Sequence, residues 1–120
     1  MRKIFIHALV LMVCLGCNTI EEPVVNNAAA WTISNANFTF TPGLLTITKG
    51  DSVNFNLADS HNVVEVSLAT WNANGNELLP GFSLPFGGGV LHPSQLSVGT
   101  HYYVCTLHST IGMKGIIVVK

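Results

Sequence analysis

Charge is scarce in this chain, and a disulfide framework is out of reach. Only 9% of the 120 residues are Asp, Glu, Lys or Arg. No cluster of Lys and Arg forms a basic patch, so nucleic acid is not an expected partner. Cysteine is limited to Cys14, Cys17 and Cys105. Beyond the first sixteen residues no apolar stretch has a helical period of adequate length, which argues against a helical bundle. No nucleophile–base motif is present either, so the chain is not expected to be an enzyme.

The start of the chain reads as a targeting segment. Arg2 and Lys3 give it a basic beginning, and Ile4 to Leu15 is apolar apart from His7. A run of that length is short of the roughly 20 residues of a membrane-spanning helix and fits the core of a signal peptide. The run ends in Cys14-Leu15-Gly16-Cys17. Gly16-Cys17 is similar to the cleavage site of bacterial lipoproteins, in which the cysteine becomes the lipidated first residue, although Cys14 stands where that pattern usually has Leu. The alternative is an ordinary secretory signal cut nearby. The expected organisation is therefore a lipoprotein-like signal over residues 1–16, a flexible tether over 17–30 and a folded domain over 31–120. The tether holds Glu-Glu-Pro, Asn-Asn and a short alanine run, without amphipathic period. Cutting before Cys17 leaves three bases (Lys49, Lys114, Lys120) against six acids (Glu21, Glu22, Asp51, Asp59, Glu65, Glu77), a net charge of −3. It also leaves Cys105 as the only free thiol of an exported domain, a liability there unless the thiol is buried or occupied.

From Trp31 onward the pattern is one of short strands. Asn37-Phe38-Thr39-Phe40 and Leu45-Thr46-Ile47-Thr48 alternate polar with apolar, and Val53 to Leu57 alternates strictly. Val63 to Leu68, Thr100 to Leu107 and Gly115 to Val119 follow. Pro42-Gly43 and Lys49-Gly50-Asp51 are turn signals. Such spacing predicts an all-β fold, either a β-sandwich or a small barrel. The stretch from Trp71 to Pro93 is rich in Asn, Gly and Pro and long for a connection in so small a domain. It admits a helical turn near Trp71 or a short strand near Phe82 to Phe86.

The chemistry is concentrated in Tyr102 to Met113. There Cys105, His108 and Met113 offer a thiolate, an imidazole and a thioether in the spacing Cys-x2-His-x4-Met. A strand ending at Cys105 can enter a tight loop that returns at Met113, so that three donors converge. A second imidazole has to come from elsewhere, and His61 lies just before the apolar run Val63 to Leu68. Two imidazoles and a thiolate with a weak axial thioether describe a blue-copper site. Thiolate binds Cu(I) well, imidazole suits both oxidation states, and a long thioether contact favours Cu(I). Any one of these residues alone would read as core packing or a surface side chain; their combination points to copper.

These residues resemble the cupredoxin family, nearest the plastocyanin-like small blue copper proteins. Cys105 to Met113 running into Gly115-Ile116-Ile117-Val118-Val119 is similar to the plastocyanin ligand loop and last strand. His61-Asn62-Val63-Val64 is similar to the family's first ligand and the strand after it, and Thr48 to Val53 resembles its early Gly-Asp turn. The resemblance covers about Phe38 to Lys120. It implies a Greek-key β-sandwich holding one type 1 copper ion near one end, with His61, Cys105, His108 and Met113 as ligands. It further implies that Asn62 braces the ligand loops by hydrogen bonds. Leu107 departs from the usual plastocyanin Pro, and Val104, not Tyr, precedes Cys105. His61 to Val66 and Gly99 to Tyr103 look more like plant phytocyanins, which use a longer Cys-to-His spacing and a disulfide that this chain cannot form.

The remaining histidines are expected outside the centre. His101 shares the strand face of Cys105 but lies roughly 13 Å away at strand rise, and His92 belongs to a loop. Trp31, Trp71, Tyr102 and Tyr103 are expected to serve packing. The function implied is transfer of single electrons between redox proteins at the cell envelope, the alternative being copper binding and trafficking there without a relay. Electrons are expected to pass at the edge of His108, ringed by Leu107 and Ile111 with Leu44, Pro85 and Phe86 as further candidates. The protein is expected to be an exported monomer in the periplasm or at the cell surface. A lipid on Cys17 would tether it to a bacterial membrane.

Overall fold

A computed structural model describes residues 28–120; the signal segment, Cys17 and most of the expected tether lie outside these residues. Most of the alternating segments are extended. Nine strands result: β1 (Ala30–Ala36), β2 (Thr39–Thr41), β3 (Leu44–Ile47), β4 (Ser52–Asn56), β5 (Val63–Val66), β6 (Leu78–Leu84), β7 (Gly88–Leu91), β8 (Gly99–Val104) and β9 (Lys114–Val119). Among the described residues one short α-helix, α1 (Leu68–Asn72), and two single 3-10 turns, Pro93–Gln95 and Ser109–Ile111, interrupt them. The strands form two sheets, in the orders β2-β1-β4-β7 and β3-β9-β8-β5-β6. β1 runs parallel to β4 and β3 parallel to β9, while the other neighbours are antiparallel. The chain thus forms the expected β-sandwich, and the barrel alternative falls away.

Alternation decides which side chains face inward. In β4, Val53 and Phe55 are buried while Asn54 and Asn56 are exposed; in β9, Gly115, Ile117 and Val119 are buried. The centre of the core is aromatic. The rings of Phe40 and Phe55 meet the ring of Tyr103 edge-on at 5.0 and 5.2 Å. Each such side chain, fully withdrawn from water, contributes about 1.5–3 kcal/mol. Burial pushes the Tyr103 phenol well above its ordinary range, and its hydroxyl has no hydrogen-bond partner.

Ala29 and Ala30 already take part in the fold, ahead of the boundary read from composition. The Asp51 carboxylate accepts hydrogen bonds from the Trp31 indole N–H (2.9 Å), the Ala29 N–H (2.8 Å) and the Thr48 N–H (3.0 Å). Led by the Trp31 bond, these hold its carboxyl below the usual carboxylate range. Ala30 is already paired with Ser52. Asp51 thereby locks the first strand to the turn before β4, and Trp31, which is exposed and not part of the core, serves there as a hydrogen-bond donor.

Three segments differ from the strand pattern. Asn37-Phe38 is a two-residue hairpin turn between β1 and β2, not part of a strand, because Asn37 adopts a left-handed backbone (φ 51°) that asparagine tolerates. Phe38 and Phe40 therefore part company, with Phe40 in the core and Phe38 exposed at the tip. β5 stops at Val66 rather than Leu68, since the Ser67 hydroxyl accepts the Thr70 N–H (3.1 Å) and caps α1. β7 runs through the glycine cluster that composition alone marks as loop.

The segment from Trp71 to Pro93 contains the end of α1 and two strands, β6 and β7, and β6 stops at Leu84 rather than running on to Phe86. α1 lays Trp71 on the outer face of the five-stranded sheet, against Val64, Val66, Val104 and Tyr102. β6 then pairs with β5, but the register shifts at Glu65, where four residues of β6 stand against one of β5 between the pairs Val64–Ser83 and Val66–Leu78. Into this bulge the Glu65 carboxylate projects to pair with His101 Nδ1, and His101 Nε2 donates to the Ser97 carbonyl (2.7 Å). His101 is thus structural, at the end of β8 away from Cys105. Among the described residues no helix is long and apolar enough to cross a membrane.

Candidate metal centre

Two loops at one end of the sandwich meet. The first follows β4 and turns at Ala58 to His61, closed by a His61 N–H to Ala58 carbonyl bond (3.0 Å). It is held from the side by the Gly87 N–H, which donates to the His61 carbonyl (3.0 Å). The second leaves β8 at Cys105 and returns into β9 at Met113. Its backbone is knit internally: Cys105 N–H donates to Met113 O (3.0 Å), His108 N–H to Cys105 O (3.2 Å) and Met113 N–H to His108 O (3.1 Å). Gly112 (φ 87°) makes the left-handed step that aims the chain back toward β9.

The consequence is a tight cluster of donor atoms. His61 Nδ1 and His108 Nδ1 are 3.1 Å apart, and Cys105 Sγ lies 3.5 Å from His108 Nδ1 and 3.9 Å from His61 Nδ1. A point in the plane of these three atoms lies about 2 Å from each, the length of a metal–imidazole bond. Two Nδ1 atoms and a thiol are turned to one spot, each able to offer a lone pair to a cation placed between them. They are the donors that suit Cu(I) and Cu(II). His61, Cys105 and His108 thus fit one small, soft-to-borderline metal ion.

The other sequence-predicted residues stand around them. Met113 is fully buried, in the same core cluster as Cys105, and is tied by its backbone to both Cys105 and His108. Asn62 is buried, and its Oδ1 accepts from the Thr106 N–H (2.8 Å) and the Thr106 hydroxyl (3.2 Å). One side chain thereby joins the residue after His61 to the residue after Cys105. Asn76, in the connection before β6, adds a bond to the Thr106 carbonyl (3.2 Å). The Trp71 indole N–H donates to the Gly115 carbonyl (3.0 Å), and Lys114 donates to the Trp71 carbonyl (2.8 Å) with its ammonium 3.9 Å from the indole centroid. The long connection therefore braces both ends of the ligand loop from outside the sheet.

The cluster is asymmetric toward water. Cys105 and Met113 are inaccessible, His61 is buried, and His108 is half-buried. Leu107, Ile111, Leu44 and Phe86 are exposed large apolar side chains, and Pro85 is exposed as well. Leu107 and Ile111 flank His108 in its own loop, while Phe86 adjoins the Gly87 that bonds to His61. Leu44 is exposed at the head of β3.

Sequence reasoning missed Asn76, and it missed an aromatic residue beside the two imidazoles. The Phe38 ring centroid is 4.7 Å from that of His108 and 6.0 Å from that of His61. The available signal was Asn37, a residue that favours left-handed turn positions and so separates Phe38 from the strand.

A family model described as copper binding proteins, plastocyanin/azurin family, matches residues 27–120. Among solved structures, the chain is similar to an amicyanin variant in its reduced state, with 26% identity and a TM-score of 0.53, covering 76% of this chain and 82% of that one. It is also similar to the pseudoazurin from Methylobacterium extorquens AM1 (21% identity, TM-score 0.55, 75% of this chain and 74% of that one). Oxidized plastocyanin from Dryopteris crassirhizoma matches with 23% identity and a TM-score of 0.52, over 74% of this chain and 99% of that one. The latter two are likenesses of fold. A comparison with curated protein sequences gives no significant match.

Proposed function

Because the chain belongs to the plastocyanin/azurin family of copper-binding proteins, we propose that it is a type 1 copper electron carrier, with His61, Cys105, His108 and Met113 as ligands. The observation that carries this reading is the convergence of His61 Nδ1, His108 Nδ1 and Cys105 Sγ within 3.9 Å of one another. When bound, copper supplies a one-electron Cu(II)/Cu(I) couple.

The protein's part is to keep the donors still and dry. Backbone hydrogen bonds fix Cys105, His108 and Met113 in one loop, and Asn62 ties that loop to the His61 turn. Burial of Cys105 and Met113 excludes water from their side of the centre. A donor arrangement acceptable to both oxidation states keeps the rearrangement on electron transfer small. His108 is the ligand nearest solvent, so its edge is the route for electrons. The exposed apolar side chains of Leu107, Ile111 and Phe86 give a partner a surface for brief, weak docking. Four protein donors leave no open position for a substrate, in keeping with a carrier and not a catalyst. An export signal and a lipid on Cys17 would place the domain at the cell envelope, facing a redox protein there.

Met113→Gln should retain the copper and lower the reduction potential. A decrease on the order of 100 mV is expected, about 59 mV for each tenfold loss of preference for Cu(I). Electrochemistry on the two copper-loaded proteins measures it, and an unchanged potential removes Met113 from the axial position. The relay itself is tested by electron self-exchange on the same samples. Fast exchange at high potential supports it, whereas slow exchange with ready release of copper to an acceptor supports envelope copper trafficking.

A further inference from the structure

A metal-binding histidine is ordinarily held in orientation by a hydrogen bond from its second ring nitrogen to a carboxylate or carbonyl. Among the described residues, no protein group hydrogen-bonds Nε2 of His61 or of His108, and Asn62 acts on Thr106 rather than on either imidazole. His61 is enclosed by its surroundings, but His108 is half-buried in a short loop and needs another restraint.

Phe38 is placed to supply it. Its ring is tilted by 47° against the His108 ring at 4.7 Å and meets the His61 ring edge-on at 6.0 Å. Half of Phe38 is nevertheless exposed (51%), so core burial does not explain its position. The hairpin tip that carries it is tied down. Asn35 Nδ2 donates to the Asn37 carbonyl (3.1 Å), and Asn35 Oδ1 accepts the Ala58 N–H (2.9 Å). The Ala58 carbonyl in turn accepts the His61 N–H (3.0 Å). One asparagine therefore links the Phe38 turn to the His61 turn, and the aromatic ring travels with the loop that holds the other imidazole.

We propose that Phe38 is a positioning residue for His108, clamping the imidazole with Nδ1 turned toward Cys105 Sγ and His61 Nδ1. The inference rests on the copper reading for its purpose, but the contact itself is between two protein side chains. It acts through the ring face, so an aliphatic side chain of similar size does not replace it.

Three proteins test this: the parent, Phe38→Leu and Phe38→Tyr, each without copper and with copper. In the copper-free parent, proton NMR should show the His108 ring protons shifted by the aromatic ring current. Phe38→Leu should abolish that shift and Phe38→Tyr should restore it. In the copper-loaded proteins, Phe38→Leu should release copper to a Cu(I) chelator about fivefold faster, the factor associated with one aromatic contact, and Phe38→Tyr should release it at the parent rate. Thermal unfolding of the copper-free proteins should be nearly the same for all three, since Phe38 is not core. Asn35→Asp keeps the acceptor for Ala58 and loses the donor to Asn37, and should weaken the shift in part. Identical His108 shifts and release rates in the parent and Phe38→Leu would overturn the clamp. A protein that takes up no copper at all would overturn the copper reading instead, leaving the copper-free shifts to decide the clamp.

Discussion

Cys105→Ser is expected to leave the sandwich folded and to abolish the blue colour of the copper-loaded protein. Cys105 is wholly inaccessible and is the free cysteine of the described residues, at the point where β8 gives way to the ligand loop. Serine fits the same space, and burying its hydroxyl costs about 1–3 kcal/mol if it finds no partner. That is a fraction of the 5–15 kcal/mol typical of a domain, so the fold persists. The electronic consequence is far larger, because the intense visible absorption of such a site arises from thiolate bound to Cu(II), and a hydroxyl cannot supply it. Copper affinity should fall by about 100-fold or more, since even outer partners of a ligand are commonly worth about 10–100-fold. Absorption spectroscopy with a copper titration checks both, alongside circular dichroism for the fold. A Cys105→Ser protein that remains blue would mean that Cys105 is not the ligand.

Gly88→Ala should be the most damaging of the small substitutions away from the ligands. Gly88 pairs with Asn56 across β4 and β7 and has φ 91°, a backbone that side-chain-bearing residues rarely adopt. A Cβ there would also run into the carbonyl oxygen of Phe55, which is backbone in the central part of the sheet and has nowhere to go. Strain of about 1–3 kcal/mol adds to an overlap of similar size, for a loss of about 2–6 kcal/mol. Gly50→Ala is the matched control: its φ is 101°, but a Cβ would meet nothing within 4 Å, so only the strain applies. Urea unfolding of the copper-free proteins should show a lower midpoint for both, with the larger fall in Gly88→Ala and little change in slope. Equal losses would show that the approach of β7 to β4 is not the constraint. Because Gly87 donates to the His61 carbonyl, displacement of β7 should also loosen the His61 turn.

The strands that alternate cleanly in sequence are those the chain forms. Val53 to Asn56 lies within β4 and Gly115 to Val119 within β9, because a strand half-buried against a core leaves a period-two signature. β7 escapes such reading, since its glycines answer to close backbone approach and carry no apolar signal. The placement of Trp71 over the outer sheet face is equally silent in the sequence. It depends on where α1 lands, and α1 owes its start to a single capping serine. The donor residues are legible because a thiol, an imidazole and a thioether share one short loop. Phe38 is not, because its partner His108 is 70 positions away and a two-residue turn re-aims it.

The two loops and the sandwich beneath them bring three donor atoms to one point. The measurement that tests this most directly is addition of Cu(II) to the purified protein, followed by absorption and electron paramagnetic resonance. The arrangement of His61, Cys105, His108 and Met113 predicts one copper per chain, an intense blue band and a narrow copper hyperfine splitting. A colourless copper complex with wide splitting would contradict it.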